Sequence, residues 1–121
     1  MKISISAQGS DKDSPVDPRF GRASQFLVYD TESASYEVIS NAQSLSAAQG
    51  AGIKAAETIS GTGADVLITG HCGPKAFATL KAAGIKVFIG AEGLTVAQAL
   101  EKYNSNQLKA AESSDVTGHW Q

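Results

Sequence analysis

The sequence predicts an α/β fold: a mixed five-stranded sheet in the order β-β-β-α-β-α-β-α, with helices on both faces. Three observations lead there. Residues 2–6 ("KISIS") alternate polar and apolar side chains with period two, the mark of a strand with one buried face, and 25–30 and 36–40 add a hairpin, so the first third is β-rich. Residues 65–69 ("DVLIT") and 86–90 ("KVFIG") are short continuous apolar runs, as in parallel strands buried on both faces. Each of these runs is followed by a stretch of helical periodicity. At 121 residues and 42% hydrophobic composition, the chain has the material for one ordinary core and no room for a second domain.

The elements follow in order. "KISIS" (2–6) is the first strand, and "QFLVYD" (25–30) and "YEVIS" (36–40), joined by the polar turn "TESAS", form an antiparallel hairpin. The first helix opens on a capping box, Ser46 with Gln49, carries Ile53, Ala56 and Ile59 as its apolar stripe, and stops near Ser60-Gly61-Thr62-Gly63. The second starts at Pro74, which suits a first helical position because it has no N–H to leave unbonded; it presents Phe77 and Leu80 and ends at Gly84. The third has Thr95 and Gln98 as a capping box and buries Val96, Leu100 and Tyr103. Residues 1–108 are read as one domain and 109–121 as a polar C-terminal tail, loosely held unless Trp120 docks.

Charge and composition exclude several classes of function. Ten Lys+Arg against twelve Asp+Glu give a net charge of −2, which is no field for a nucleic-acid backbone. No apolar run approaches the ~18 residues of a membrane span, and no signal-peptide pattern is visible, so a soluble, cytoplasmic protein is expected. A single cysteine rules out an intrachain disulfide and any multi-cysteine metal motif within one chain.

Two loops carry the candidate chemistry. "TGHCGPKAF" (69–77) lies between an apolar strand and a helix, where ligands of open α/β sheets bind. Gly70 and Gly73 let successive N–H groups converge and the helix at Pro74 adds its positive end, so the loop is either an anion cradle reinforced by Lys75 or a packing turn only, since Gly-rich strand-to-helix turns are common. Cys72 and His71 set a thiolate beside an imidazole, a pair suited to a soft metal. A lone cysteine is otherwise a small buried hydrophobe and a lone histidine a surface or capping group. One such pair cannot enclose a metal ion, so any metal must bring other ligands. The second loop, residues 7–24, is long for a connection. Its aspartates lack the spacing of a calcium-binding loop. Arg19 and Arg22 flank Phe20 and Gly21 and offer guanidinium groups to an anion, or else pair with Asp17 and Asp13 to pin the loop.

With "PVDPRFGRASQFLVYD" (15–30), "ITGHCGPKAFATLKAAGIKVFIG" (68–90) and "TVAQALEKY" (95–103), the chain resembles the dinitrogenase iron-molybdenum cofactor biosynthesis family, of the NifX and NifB C-terminal-domain type. Among its small stand-alone members it looks most like the orange-protein type of sulfate-reducing bacteria. The resemblance implies a ribonuclease-H-like fold and a non-enzymatic carrier of an anionic metal-sulfur cluster, here a molybdenum-copper sulfide cluster held without covalent attachment. On that implication the cradle is Arg19, Phe20, Arg22, Gly70, His71, Cys72, Gly73 and Lys75. Phe20 and Phe77 exclude water, and Cys72 and His71 are the candidates for contact with copper. The radical-SAM cysteine triplet of full-length NifB is absent, so that enzyme's chemistry is not expected.

Partners in cluster assembly or transfer are expected, nucleic acid and membrane are not, and the chain is expected to be a monomer or weak dimer. The rival readings are a metal-free regulatory or assembly module for a protein partner or an anionic metabolite, and an iron-sulfur carrier using Cys72 from two chains. A nuclease lacks clustered carboxylates, and a cysteine hydrolase would rely on His71 or on His119 in the tail.

Overall fold

A computed structural model describes residues 1–42 and 50–111. The strands are β1 (Lys2–Ala7), β2 (Gln25–Asp30), β3 (Ser35–Ser40), β4 (Val66–Ile68), β5 (Lys86–Ile89) and β6 (Lys109–Ala110). Among the described residues the helices are α1 (Ala51–Gly61), α2 (Pro74–Ala82) and α3 (Val96–Asn104), and a 3-10 turn covers Phe20–Arg22. The strands form one mixed sheet in the order β3-β2-β1-β4-β5-β6. β1 pairs antiparallel with β2 and parallel with β4; β2–β3 and β5–β6 are antiparallel and β4–β5 is parallel.

Burial follows from this order. β1 lies inside the sheet, so its serines are as buried as its isoleucines, and each needs a bond: the Ser4 hydroxyl donates to Val66 O (2.9 Å), and that of Ser6 bonds with Asp17 O (2.7 Å) and Thr69 Oγ1 (2.8 Å). On one face, α1 and α2 close a core that includes Phe26, Ile59, Leu67 and Leu80. On the other, α3 closes a second around Ile3, Ile5, Ile68 and Val96. No helix of the described residues is long and apolar enough to cross a membrane.

Among the described residues the sheet has six strands, not five. The addition, Lys109–Ala110, lies just past the expected domain boundary at 108, in sequence read as tail, and pairs with Ile89 and Phe88. Both its residues are exposed, so main-chain bonds hold it and no apolar pattern announces it. The capping box of Ser46 and Gln49, His119 and Trp120 lie outside the described residues. Within the described part of α1, Ala55, Ala56 and Ile59 face the core, and Ile53 is only half-buried.

The expected box on α3 is present: Gln98 N–H donates to Thr95 Oγ1 (3.2 Å) and Thr95 N–H to Gln98 Oε1 (2.9 Å). The long first loop completes this helix end, because Ser14 O and Lys12 O accept from the N–H groups of Val96 (2.9 Å) and Ala97 (2.8 Å). Thr95→Ala is expected to lower stability by about 1 kcal/mol, read from the denaturant midpoint, with Thr95→Ser close to the natural chain.

Candidate functional site

The loop after β1 and the loop after β4 meet edge to edge. His71 N–H donates to Pro18 O (2.7 Å) and Phe20 N–H to His71 O (3.3 Å), a short parallel bridge between Arg19 and His71. Gly70 permits this approach: a Cβ there would sit 2.7 Å from Pro18 O and 2.8 Å from Pro18 Cα. The 3-10 turn then presses on α1, where a Cβ on Gly21 would lie 2.9 Å from both the N and the Cα of Gly52. Gly52 in turn faces Ala76 of α2, 3.1 Å from where its own Cβ would stand. Bare backbone at these three contacts brings the turn and the two helix starts together.

Between them lies a cleft of about 360 Å³. Arg19, Phe20, Gly21 and Arg22 form one wall, Gly50 to Ile53 a second, and His71, Gly73, Lys75 and Ala76 the third. Three cationic side chains line it and no described acidic residue does. α1 and α2 both begin at glycine N-caps, Gly50 and Gly73, which supply no side-chain cap. No described residue accepts from the first-turn N–H groups of Ala51 to Ile53 or of Lys75 and Ala76, and both positive dipole ends are at the cleft. α3 differs, its first amides being taken by Thr95, Ser14 and Lys12.

The expected site residues divide. Arg19, Phe20, Arg22, His71, Gly73 and Lys75 line the cleft together. Gly70 shapes it from behind. Cys72 is 1% exposed, sits in the core cluster with Phe20 and Leu80, and is not among the lining residues; its Sγ lies 3.8 Å from Gly73 O. Phe77 packs against the same core and does not line the cleft. The alternative pairing of Arg19 with Asp17 runs only through the main chain: Asp17 Oδ1 accepts from Arg19 N–H at 3.1 Å, and the Arg19 guanidinium makes no ion pair among the described residues. His71 Nε2 stands 3.7 Å from Glu92 Oε2. The described residues hold no group of three or more His, Cys, Asp or Glu able to bind a metal ion. The wall at Gly50 to Ile53 went unread in the sequence, although two glycines flanking Ala51 at a helix start were its available signal.

Residues 1–106 match the sequence profile described as dinitrogenase iron-molybdenum cofactor. The chain belongs to that family. No curated protein matches it. Among solved structures, it is similar to the apo form of the orange protein from Desulfovibrio gigas, 44% identical with a TM-score of 0.93, covering 95% of this chain and 96% of that one. It is also similar to a putative NifB protein from Thermotoga, 36% identical with a TM-score of 0.80, covering 95% and 98%. The family resemblance carried by the "DPRFGRA" and "TGHCGPKAF" segments is therefore shown, and these are the two segments that meet at the cleft.

Gly21→Ala forces a Cβ into the backbone of Gly52 and is expected to cost about 1–3 kcal/mol, seen as a lower thermal midpoint. Asp17, 9% exposed, is held above the ordinary aspartate range by burial, against the opposing pull of the Arg19 N–H and charge. A carboxyl raised on folding stabilises fully below its unfolded pKa and loses that contribution as pH rises through its folded pKa. Asp17→Asn keeps the oxygen acceptor without the charge, so its stability relative to the natural chain should be more favourable at pH 7 than at about pH 3. The same difference at both pH values would contradict this.

Proposed function

We propose that the chain is a non-enzymatic carrier whose cleft takes an anionic metal-sulfur cluster or its precursor as cargo. The carrying observation is the donor set: Arg19, Arg22 and Lys75 around one cleft with two helix N-termini that no described side chain caps, and no described carboxylate lining it. A cluster already saturated with sulfide needs N–H donors, cations and apolar walls more than protein thiolates, and the cleft offers those. Phe20, Ile53 and Ala76 supply the apolar part. The strand order supports reading the sheet as the ribonuclease-H-like arrangement.

The likeness to the orange protein supports a molybdenum-copper sulfide cluster as the cargo, in line with the family resemblance. Within the cleft, His71 is the side chain suited to touch copper, since imidazole is a good copper ligand. The thiol of Cys72 would reach the cargo only if its loop opened. That burial also weighs against an iron-sulfur carrier built on Cys72 from two chains.

The test mixes apo protein with tetrathiomolybdate and a copper salt, desalts it, and measures Mo, Cu and Fe together with the visible spectrum. Stoichiometric Mo and Cu on a coloured protein is the expected result; a folded, colourless, metal-free protein would reject this cargo in favour of a partner-binding or metabolite-binding module. Arg19→Gln, Arg22→Gln and Lys75→Gln should each weaken retention by about tenfold to a hundredfold, the size of a lost charge-assisted hydrogen bond, and more at low ionic strength. Cys72→Ser should weaken it less than any of the three.

A further inference from the structure

Two strands bound the sheet, and they differ in how they end it. β6 is two residues long and includes Lys109. Brevity and lysine are common ways of making a sheet edge unattractive to another strand. β3, at the opposite edge, has six residues, no proline, lysine or arginine, and an unbroken register with β2. Its outer side is covered by no described element.

The direction of its hydrogen-bonding groups follows from the ladder. Thr31 N–H donates to Met1 O (2.9 Å), so the odd-numbered residues of β2 bond toward β1. Asn41 N–H donates to Ser24 O (3.2 Å), so the even-numbered residues of β2 bond toward the odd-numbered residues of β3. Ser35, Glu37 and Ile39 therefore face β2. The N–H and C=O groups of Tyr36, Val38 and Ser40 point out of the sheet, and none bonds to a described residue. Val38 is 46% exposed, on the same face as Tyr36, whose ring lies 4.9 Å from that of Tyr29.

We propose that β3 pairs antiparallel with β3 of a second copy of this chain, joining two sheets across a twofold axis at Val38. Residues opposite one another in an antiparallel pair share a face, so even-numbered residues must meet even-numbered ones. Two registers centre on the strand. One places Glu37 against Glu37, like charges directly opposed. The other places Val38 against Val38 and Tyr36 against Ser40. In that register all the facing outward groups exchange N–H···O bonds, Val38 is covered by its own copy, and Glu37 falls opposite Ile39. The strand is thus complementary to itself, which selects a second copy over an unrelated strand. With a single short strand as the interface, the dimer is weak and concentration-dependent.

The test is sedimentation velocity and amide hydrogen exchange on the full chain from low micromolar to millimolar concentration. A monomer giving way to a dimer is expected, with exchange at Tyr36, Val38 and Ser40 slowed about tenfold or more at the upper end. Val38→Pro removes an outward N–H that β2 does not use, and should abolish the dimer without unfolding the sheet. Val38→Lys sets two charges face to face and should weaken it about tenfold or more, most at low salt. A monomer at millimolar concentration, exchange at these amides independent of concentration, or an undiminished dimer in a folded variant would each overturn the proposal. Should Val38→Pro fail to fold, Val38→Lys and the exchange data on the natural chain decide it.

Discussion

The main-chain contact of Pro18–Phe20 with His71 fixes where everything else at the cleft must stand. Two hydrogen bonds, from His71 N–H to Pro18 O and from Phe20 N–H to His71 O, close the first loop onto the second. The 3-10 turn that follows has Phe20 anchored in the core, 2% exposed, so Arg19 and Arg22 project from a turn that cannot slide. The chain achieves the approach by leaving side chains out: Gly70 against Pro18, Gly21 against Gly52, and Gly52 against Ala76. Cations borne on long flexible side chains are usually poorly placed, but these three radiate from backbone held at van der Waals contact.

Electrostatics and topology reinforce each other here. The chain carries a net charge of −2, yet three of its ten Lys and Arg residues line one cleft. The same cleft receives the glycine-capped starts of α1 and α2, while α3, on the other face of the sheet, has its first amides used by the first loop. That loop therefore has two tasks. It closes one helix start with Lys12 and Ser14, and a few residues later it brings arginines to the two starts that no described side chain caps. Ser6, bonded to Asp17 O and Thr69, fastens the loop to both β1 and the end of β4 beneath the cleft.

Much of this was legible in the sequence because it is written in periodicity and in glycine and proline. The hairpin, the parallel strands β4 and β5, Pro74 at the start of α2 and the Thr95 capping box all rest on local rules that the fold did not override, although of the two parallel strands only β4 is buried throughout, Lys86 of β5 being exposed and Phe88 and Ile89 half-buried. β6 was not legible, since an edge strand of two exposed residues is made by main-chain bonds that any sequence can form. At the cleft, residue type identified Arg19, Arg22 and Lys75, but could not place Cys72. Its neighbours His71 and Gly73 line the cleft, yet Cys72 itself points into the core, and only the tertiary path of the loop determines such an alternation. The wall from Gly50 to Ile53 escaped because Ile53 read as part of a core stripe, when its helix start faces the cleft.

The burial of Cys72 has a consequence for handling the molecule. Thiol oxidation, alkylation and disulfide exchange proceed through an accessible thiolate, and the chain's one sulfhydryl is 1% exposed among apolar neighbours. Air and ordinary thiol reagents meet almost no reactive sulfur on the folded protein. Purified without reductant, it should keep one covalent form, and labelling by a thiol reagent becomes a measure of how often the second loop opens.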